Sequence, residues 1–165
     1  MFTYKNNRVH VAGLSFVIPD GCILNWMNTE VEFDGFSALT PDRKVKFYLL
    51  PQIYTGYSDK PNAMERIKDS FSVYNDRTNP YTFHTDITPI HKYGLDGYSL
   101  SYSSESVHYY DECFDLPEQI NGIYQIEVLL SASGGVTLED ALQNPIVKEF
   151  MDSLRKNKGN KYPLI

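Results

Sequence analysis

Between Lys92 and Lys148 the chain has no lysine and no arginine, yet nine acids lie there: Asp96, Glu105, Asp111, Glu112, Asp115, Glu118, Glu127, Glu139 and Asp140. Elsewhere the signs balance. Residues 1–60 carry six acids and six bases and residues 122–165 carry five of each, so the block 61–121, with ten acids against four bases, supplies the whole formal charge of −6. A shortage of bases argues against sequence-nonspecific nucleic-acid binding, which depends on Lys and Arg neutralising phosphates. A field of one sign instead steers a basic partner.

Cysteine is scarce as well. Two residues, Cys22 and Cys113, do not make a disulfide framework. Since cysteine is among the most buried residue types even when unpaired, two free thiols in a reducing compartment are the favoured reading. Long apolar runs are missing. Phe47-Tyr48-Leu49-Leu50 is far too short to span a bilayer, and residues 1–8 lack the apolar region of a signal peptide. The chain as given therefore reads as cytoplasmic and not bound to a membrane. Also absent are a Gly-x-x-x-x-Gly-Lys-Ser/Thr loop, Gly-x-Gly-x-x-Gly, Cys-x-x-Cys, His-Glu-x-x-His and Gly-x-Ser-x-Gly, which removes the enzyme families built on them.

What is abundant is aromatic: thirteen Tyr and nine Phe in 165 residues, about one domain's worth of chain and rich in residues that favour strands. Residues 8–18 alternate as a strand pair or bent strand, with a phase shift at Ala12-Gly13 that suggests a turn or bulge. Pro19-Asp20-Gly21 is a turn. Residues 30–39 alternate less cleanly, with Val31 and Phe33 on one side, and residues 44–53 form a strong strand carrying Val45, Phe47 and Leu49. A helix is expected over 58–74, capped by Ser58 or Asp59 with Pro61 in its first turn and a stripe of Ala63, Met64, Ile67, Phe71 and Tyr74. Residues 75–80 read as a polar loop, residues 81–88 alternate again, and Tyr93-Gly94-Leu95-Asp96-Gly97 reads as a glycine-rich corner.

The clearest hairpin covers residues 98–114. Tyr98, Leu100 and Tyr102 share one face, and Ser99, Ser101 and Ser103 the other. The turn is at Ser104-Glu105-Ser106, and the return strand sets Val107, Tyr109, Asp111 and Cys113 against His108, Tyr110 and Glu112. Serine at every second position predicts a sheet wet on that side. Residues 122–131 form the last strand. Thr137 caps the closing helical segment, and Asn144-Pro145 interrupts it with a second cap and a proline at the first helical position. Hairpins without a parallel rhythm predict an α+β domain spanning residues 1–165: an antiparallel sheet of about six to seven strands with one mid-chain helix and one C-terminal helix packed on it.

Chemistry-bearing groupings are loose. His84 and Asp86 project from one face of a strand with His91 nearby and could share a metal, but Thr82 and Thr88 on that face fit plain solvation. Asp111, Glu112, Asp115 and Glu118 offer carboxylates to calcium without the glycine or spacing of a calcium loop. Cys113 or Cys22 with His108 or His84 would make a nucleophile and base, yet no neighbouring cation in the sequence activates either thiol. No cofactor is called for. Tyr110, on the phase expected to be solvated, is the best exposed interaction residue.

Three segments carry a family resemblance. Gly13-Leu14-Ser15-Phe16-Val17-Ile18-Pro19-Asp20-Gly21 looks like the opening of the PsbP-like superfamily, an apolar strand followed by Ile-Pro and Gly. The hairpin from Gly97-Tyr98-Ser99-Leu100-Ser101-Tyr102 onward resembles its middle. Residues 124–133 followed by Asn144-Pro145-Ile146-Val147-Lys148-Glu149-Phe150-Met151-Asp152-Ser153-Leu154 resemble its last strand and closing helix. The superfamily includes an extrinsic photosystem protein, a Ran-binding import factor and many bacterial proteins of unknown role. The resemblance implies an antiparallel sheet with packed helices and a non-catalytic binding role.

From these readings the expected function is a non-catalytic protein-interaction domain, adaptor-like or chaperone-like, for a basic protein partner. The candidate surface is Glu105, Tyr110, Glu112, Asp115 and Glu118 around one hairpin. The alternative is a small-molecule or lipid binder with a cavity between the sheet and the C-terminal helix. An enzyme would have to be built from His84, Asp86, His108 and Glu112.

Overall fold

The structure, a computed structural model, describes residues 2–5, 8–11, 14–28, 34–53, 60–74, 82–83, 85–120 and 122–156. The expectations at Ala12-Gly13, at Val31 and Phe33, at Ser58 and Asp59, over 75–80 and at His84 lie outside these residues, as do the side chains of Phe71 and Tyr74. In chain order the elements are β1 (Phe2–Lys5), β2 (Arg8–Val11), β3 (Leu14–Val17), β4 (Ile23–Asn28), β5 (Asp34–Leu39), β6 (Val45–Ile53), α1 (Ala63–Tyr74), β7 (Thr82–Phe83), β8 (Thr88–Lys92), β9 (Leu95–Ser103), β10 (His108–Ile120), β11 (Ile123–Ala132), α2 (Leu138–Gln143), α3 (Pro145–Ser153) and β12 (Arg155–Lys156). The domain is α+β. Its larger sheet runs β4-β5-β6-β11-β10-β9-β7, with β8 also on β9, and a smaller sheet runs β1-β2-β3-β12. All described pairings are antiparallel.

One face of the large sheet carries the main core. Register places Val45, Phe47 and Leu49 of β6 beside Ala132, Leu130 and Val128 of β11, and these beside His108, Tyr110 and Glu112 of β10. The small sheet and α3 close over this face through a chain of rings. Phe150 of α3 stacks on Phe47 with ring centres 4.2 Å apart and meets Phe16 of β3 edge-on at 5.2 Å. Phe16 leans on Phe36 of β5 at 4.7 Å. Both terminal nitrogens of the Arg8 guanidinium donate to the Ser153 carbonyl, at 2.7 and 3.1 Å, and Ser153 Oγ accepts from Val17 N at 2.8 Å, tying the end of α3 to the small sheet.

The opposite face is covered by α1, where Ala63 and Ile67 pack on Leu100, Tyr102 and Cys113. The helix starts later than Ser58 or Asp59 would place it. Asn62 Oδ1 accepts from Glu65 N at 3.0 Å while Glu65 Oε2 accepts from Asn62 N at 2.9 Å, a reciprocal capping box that leaves Pro61 just before the helix. Near the C-terminus the sequence signals hold. Thr137 accepts from Asp140 N at 3.1 Å, and Asn144 Oδ1 accepts from Ile146 N at 2.9 Å with Pro145 at the first turn, so the closing segment is two short helices.

Two local expectations are corrected. Among the described residues of 81–88 the strand is the two-residue β7, and the longer strand, β8, starts at Thr88. Tyr93 and Gly94, with φ of 58° and 72°, make the tight two-residue turn that hairpins β8 onto β9, so Leu95–Gly97 are strand and not a corner. The turn makes Lys92 and Leu95 the closing hydrogen-bonded pair, so by alternation the backbone of Pro89 and His91 faces away from β9. A proline at such an outward position removes an N–H donor from the edge, as edge strands favour.

A third correction concerns the serine face, which is not wet. Ser101 and Ser103 are buried, and Glu112 is completely so. The small residues Gly97, Ser99, Ser101 and Ser103 lie opposite Phe114, Glu112, Tyr110 and His108, leaving room above β9 for the larger side chains of β10. Small residues here make space for a packed layer instead of marking solvent. Among the described residues no helix is long and apolar enough to cross a membrane.

Candidate functional site

The five candidate surface residues do not form one patch. Glu105 is exposed in the β9–β10 turn, and Asp115 and Glu118 lie toward the far end of β10. Seven residues of strand separate His108 from Asp115, roughly 23 Å at about 3.3 Å per residue. Between them Tyr110 is half-buried and Glu112 fully buried, which removes Glu112 from any partner surface. His108 and Glu112 lie four residues apart on one face of β10, Asp86 is exposed, and His84 falls outside the described residues. Among the described residues no three of His, Cys, Asp and Glu are grouped as metal ligands. Cys22 and Cys113 are unpaired, and burial pushes both thiols up, Cys113 strongly.

Glu112 anchors a hydrogen-bonded network. Its Oε1 accepts from the Lys92 ammonium and, at 2.5 Å, from the Tyr110 hydroxyl, while Oε2 accepts from the Tyr93 hydroxyl at 3.1 Å. A buried carboxylate requires such compensation, and three donors give it. Burial, with the Glu112 charge next, pushes Tyr110 up to about 12 and Tyr93 still higher. Lys92 is raised too: its burial, the largest effect, works against the charge but is outweighed by Glu112 and Tyr110. Tyr93, held by the turn, also meets Phe114 edge-on at 5.3 Å.

A cleft of about 800 Å³ opens beside this hairpin, lined by residues of β8 and β9 and by Asp115, Leu116 and Pro117 of β10. It lies where β9 and β10 part. Their pairing runs from Ser103↔His108 to Gly97↔Phe114, and one step further Asp96 and Asp115 flank the gap. Asp96 Oδ1 bonds His91 Nδ1 across the hairpin at 2.6 Å, both side chains being well exposed. Asp115 Oδ1 accepts from Gln125 Nε2 at 2.8 Å and Oδ2 from Ala63 N at 3.2 Å, so this carboxylate also caps α1 from a distance. No lysine or arginine lines the cleft among the described residues. The arrangement offers two carboxylates beside apolar walls of Ile90, Leu95 and Leu116, chemistry suited to a cationic side chain with an aliphatic stem.

A polar layer under α1 was not apparent in the sequence. Asp111 of β10 and Glu127 of β11 are buried there as diagonal neighbours, with Gln52 Nε2 donating to Glu127 Oε2 at 3.3 Å and Arg66 Nε of α1 at 3.9 Å from the same oxygen. Gln125 Nε2 also donates to the Pro61 carbonyl at 2.7 Å, holding the chain that enters α1. Burial raises Asp111 well above the usual carboxylate range, and Glu127 beside it adds to the shift; Glu127 is itself raised by burial despite Arg66. The signal was there: Gln125 and Glu127 alternate with apolar residues on a strand that must be central, so their face had to be covered.

No protein-family model matches the chain, and no curated protein sequence matches it. Among solved structures, one from Bacteroides thetaiotaomicron VPI-5482 is similar over 92% of this chain at 15% identity, with a TM-score of 0.44. The chain spans about half of that protein, 48% of its length.

Proposed function

We propose that this domain is a non-catalytic protein-interaction domain, adaptor-like or chaperone-like, whose partner presents a basic side chain to the cleft between β9 and β10. The observation that carries this reading is the pairing of Asp96 and Asp115 at the parting of the two strands, with no lysine or arginine lining the cleft among the described residues. Glu118, one residue beyond the lining, extends the acidic character. Lys92, the last base before the base-free stretch, is tied to Glu112. The resemblance to the PsbP-like superfamily, with its binding roles, supports the same reading, and the two unpaired thiols fit a reducing, cytoplasmic setting.

The alternative, a small-molecule binder between sheet and C-terminal helix, has less support, because the stacked rings of Phe47 and Phe150 occupy that interface. An arginine-rich peptide and an acidic control, titrated into the labelled protein and followed by NMR, test the proposal. The arginine peptide should shift His91, Asp96 and Leu116, should weaken as salt screens the charges, and should bind D96N/E118Q less well. Shifts elsewhere, or equal binding of both peptides, would overturn it.

A further inference from the structure

We propose that Asp111 and Glu127 together hold one proton beneath α1, and that surrendering it to solvent lifts α1 from the sheet. Both carboxyls sit on the central strands β10 and β11, almost wholly out of water, on the face that α1 covers. No N–H or hydroxyl donor among the described residues reaches the buried Asp111 Oδ1. Register makes Asp111 and Glu127 diagonal neighbours on that face, and two carboxyls buried so close oppose a shared double charge, which one retained proton between them removes. Charge agrees with geometry: Arg66 is the cation α1 brings to this pair, and one cation with two acids is neutral only when one proton stays.

Among the described residues the groups facing the pair are few. From α1 comes Arg66, from β6 Gln52, and from β10 Cys113 and Asp115, while Glu112 lies on the opposite face of β10 and adds negative charge. All the acidic neighbours oppose a second negative charge. The helix itself buries only Ala63 and Ile67 among its described apolar side chains, and its entry is held by polar bonds to Asp115 and Gln125. A helix whose entry rests on such polar bonds is sensitive to an added charge beneath it. Release would uncover Leu100, Tyr102 and Cys113.

Amide hydrogen exchange read by mass spectrometry across neutral to alkaline pH, corrected with the denatured chain's own rates, tests the proposal. In the wild type, protection of residues 63–74 should fall by about tenfold per pH unit while the closed form keeps the proton and the opened form sheds it, and level off above that range, while β10 and β11 stay protected. Asp111→Asn keeps the shape but has no proton to lose, so protection over 63–74 should stay flat. Equal pH dependence in both proteins, or loss of helix and sheet together, would overturn the proposal. Should Asp111→Asn fail to fold, infrared spectra of the wild type decide. A protonated carboxyl band at neutral pH that disappears on alkalinisation, together with the loss of helix protection, supports the latch, and its absence at neutral pH refutes it.

Discussion

Gly97 lies directly across from Phe114, and the ring of Phe114 occupies the space a side chain on Gly97 would need. A Cβ there would stand 2.6 Å from Phe114 Cδ1 and would collide with the Cys113 carbonyl oxygen. The close approach lets Phe114 reach Tyr93 over the hairpin, and it ends the β9–β10 pairing where the cleft begins. Because one obstacle is backbone, rotating the ring relieves only part of the clash.

Gly97→Ala is therefore expected to destabilise by overpacking, on the order of 1–3 kcal/mol, and to widen the gap between β9 and β10. Urea denaturation measures the first effect. NMR shifts at Asp96 and Leu116 measure the second. A substitution that leaves the urea midpoint unchanged would show that β9 relaxes freely at this position.

Glu112 and Lys92 make a pair of unequal partners, since the carboxylate is fully buried and the ammonium partly exposed. Lys92→Met strands the buried charge and is expected to cost about 3–5 kcal/mol. Glu112→Gln leaves a neutral acceptor for the tyrosine hydroxyls and a cation that can turn to water, and should cost less, about 1–3 kcal/mol. The order of the two losses in thermal melts tests the network, and a reversed order contradicts it.

The central hairpin was readable because alternation in residues 98–114 assigns each side chain a face, and the observed register keeps those faces. The caps at Thr137 and Asn144 were readable because capping is local chemistry. Alternation does not say what lies above a face. Glu112 and Tyr110 read as solvated because serines share their side of the hairpin, when those serines make room for them. The Asp111–Glu127 pair was hidden for a related reason. The two residues lie on separate strands, and their contact depends on register and on where α1 docks.

The capping box of α1 gives a local test. Asn62→Ala removes the acceptor for Glu65 N and should lower stability by about 0.5–2 kcal/mol. Asn62→Ser or Asn62→Asp should retain most of it. Circular dichroism melts compare the variants, and an Asn62→Ala protein as stable as wild type would show that Asp115 and Gln125 suffice to start the helix.

Tyr110 sets the pH dependence at the alkaline end. Its hydroxyl is pushed from 10.0 up to about 12, chiefly by burial and then by the Glu112 charge. A phenol raised in the folded state favours folding fully while pH stays below the unfolded value near 10, and that contribution disappears as pH climbs through the folded value of about 12. In that window the unfolded chain sheds the proton more readily than the native one, so stability falls with rising pH. Tyr110→Phe removes this slope, although it also removes a donor to Glu112 and lowers stability at neutral pH. Chemical denaturation at a series of pH values between neutral and about 11 should give a wild-type curve that descends above pH 10 more steeply than the variant's. Parallel curves would mean that the Tyr110 hydroxyl titrates as an ordinary solvated phenol.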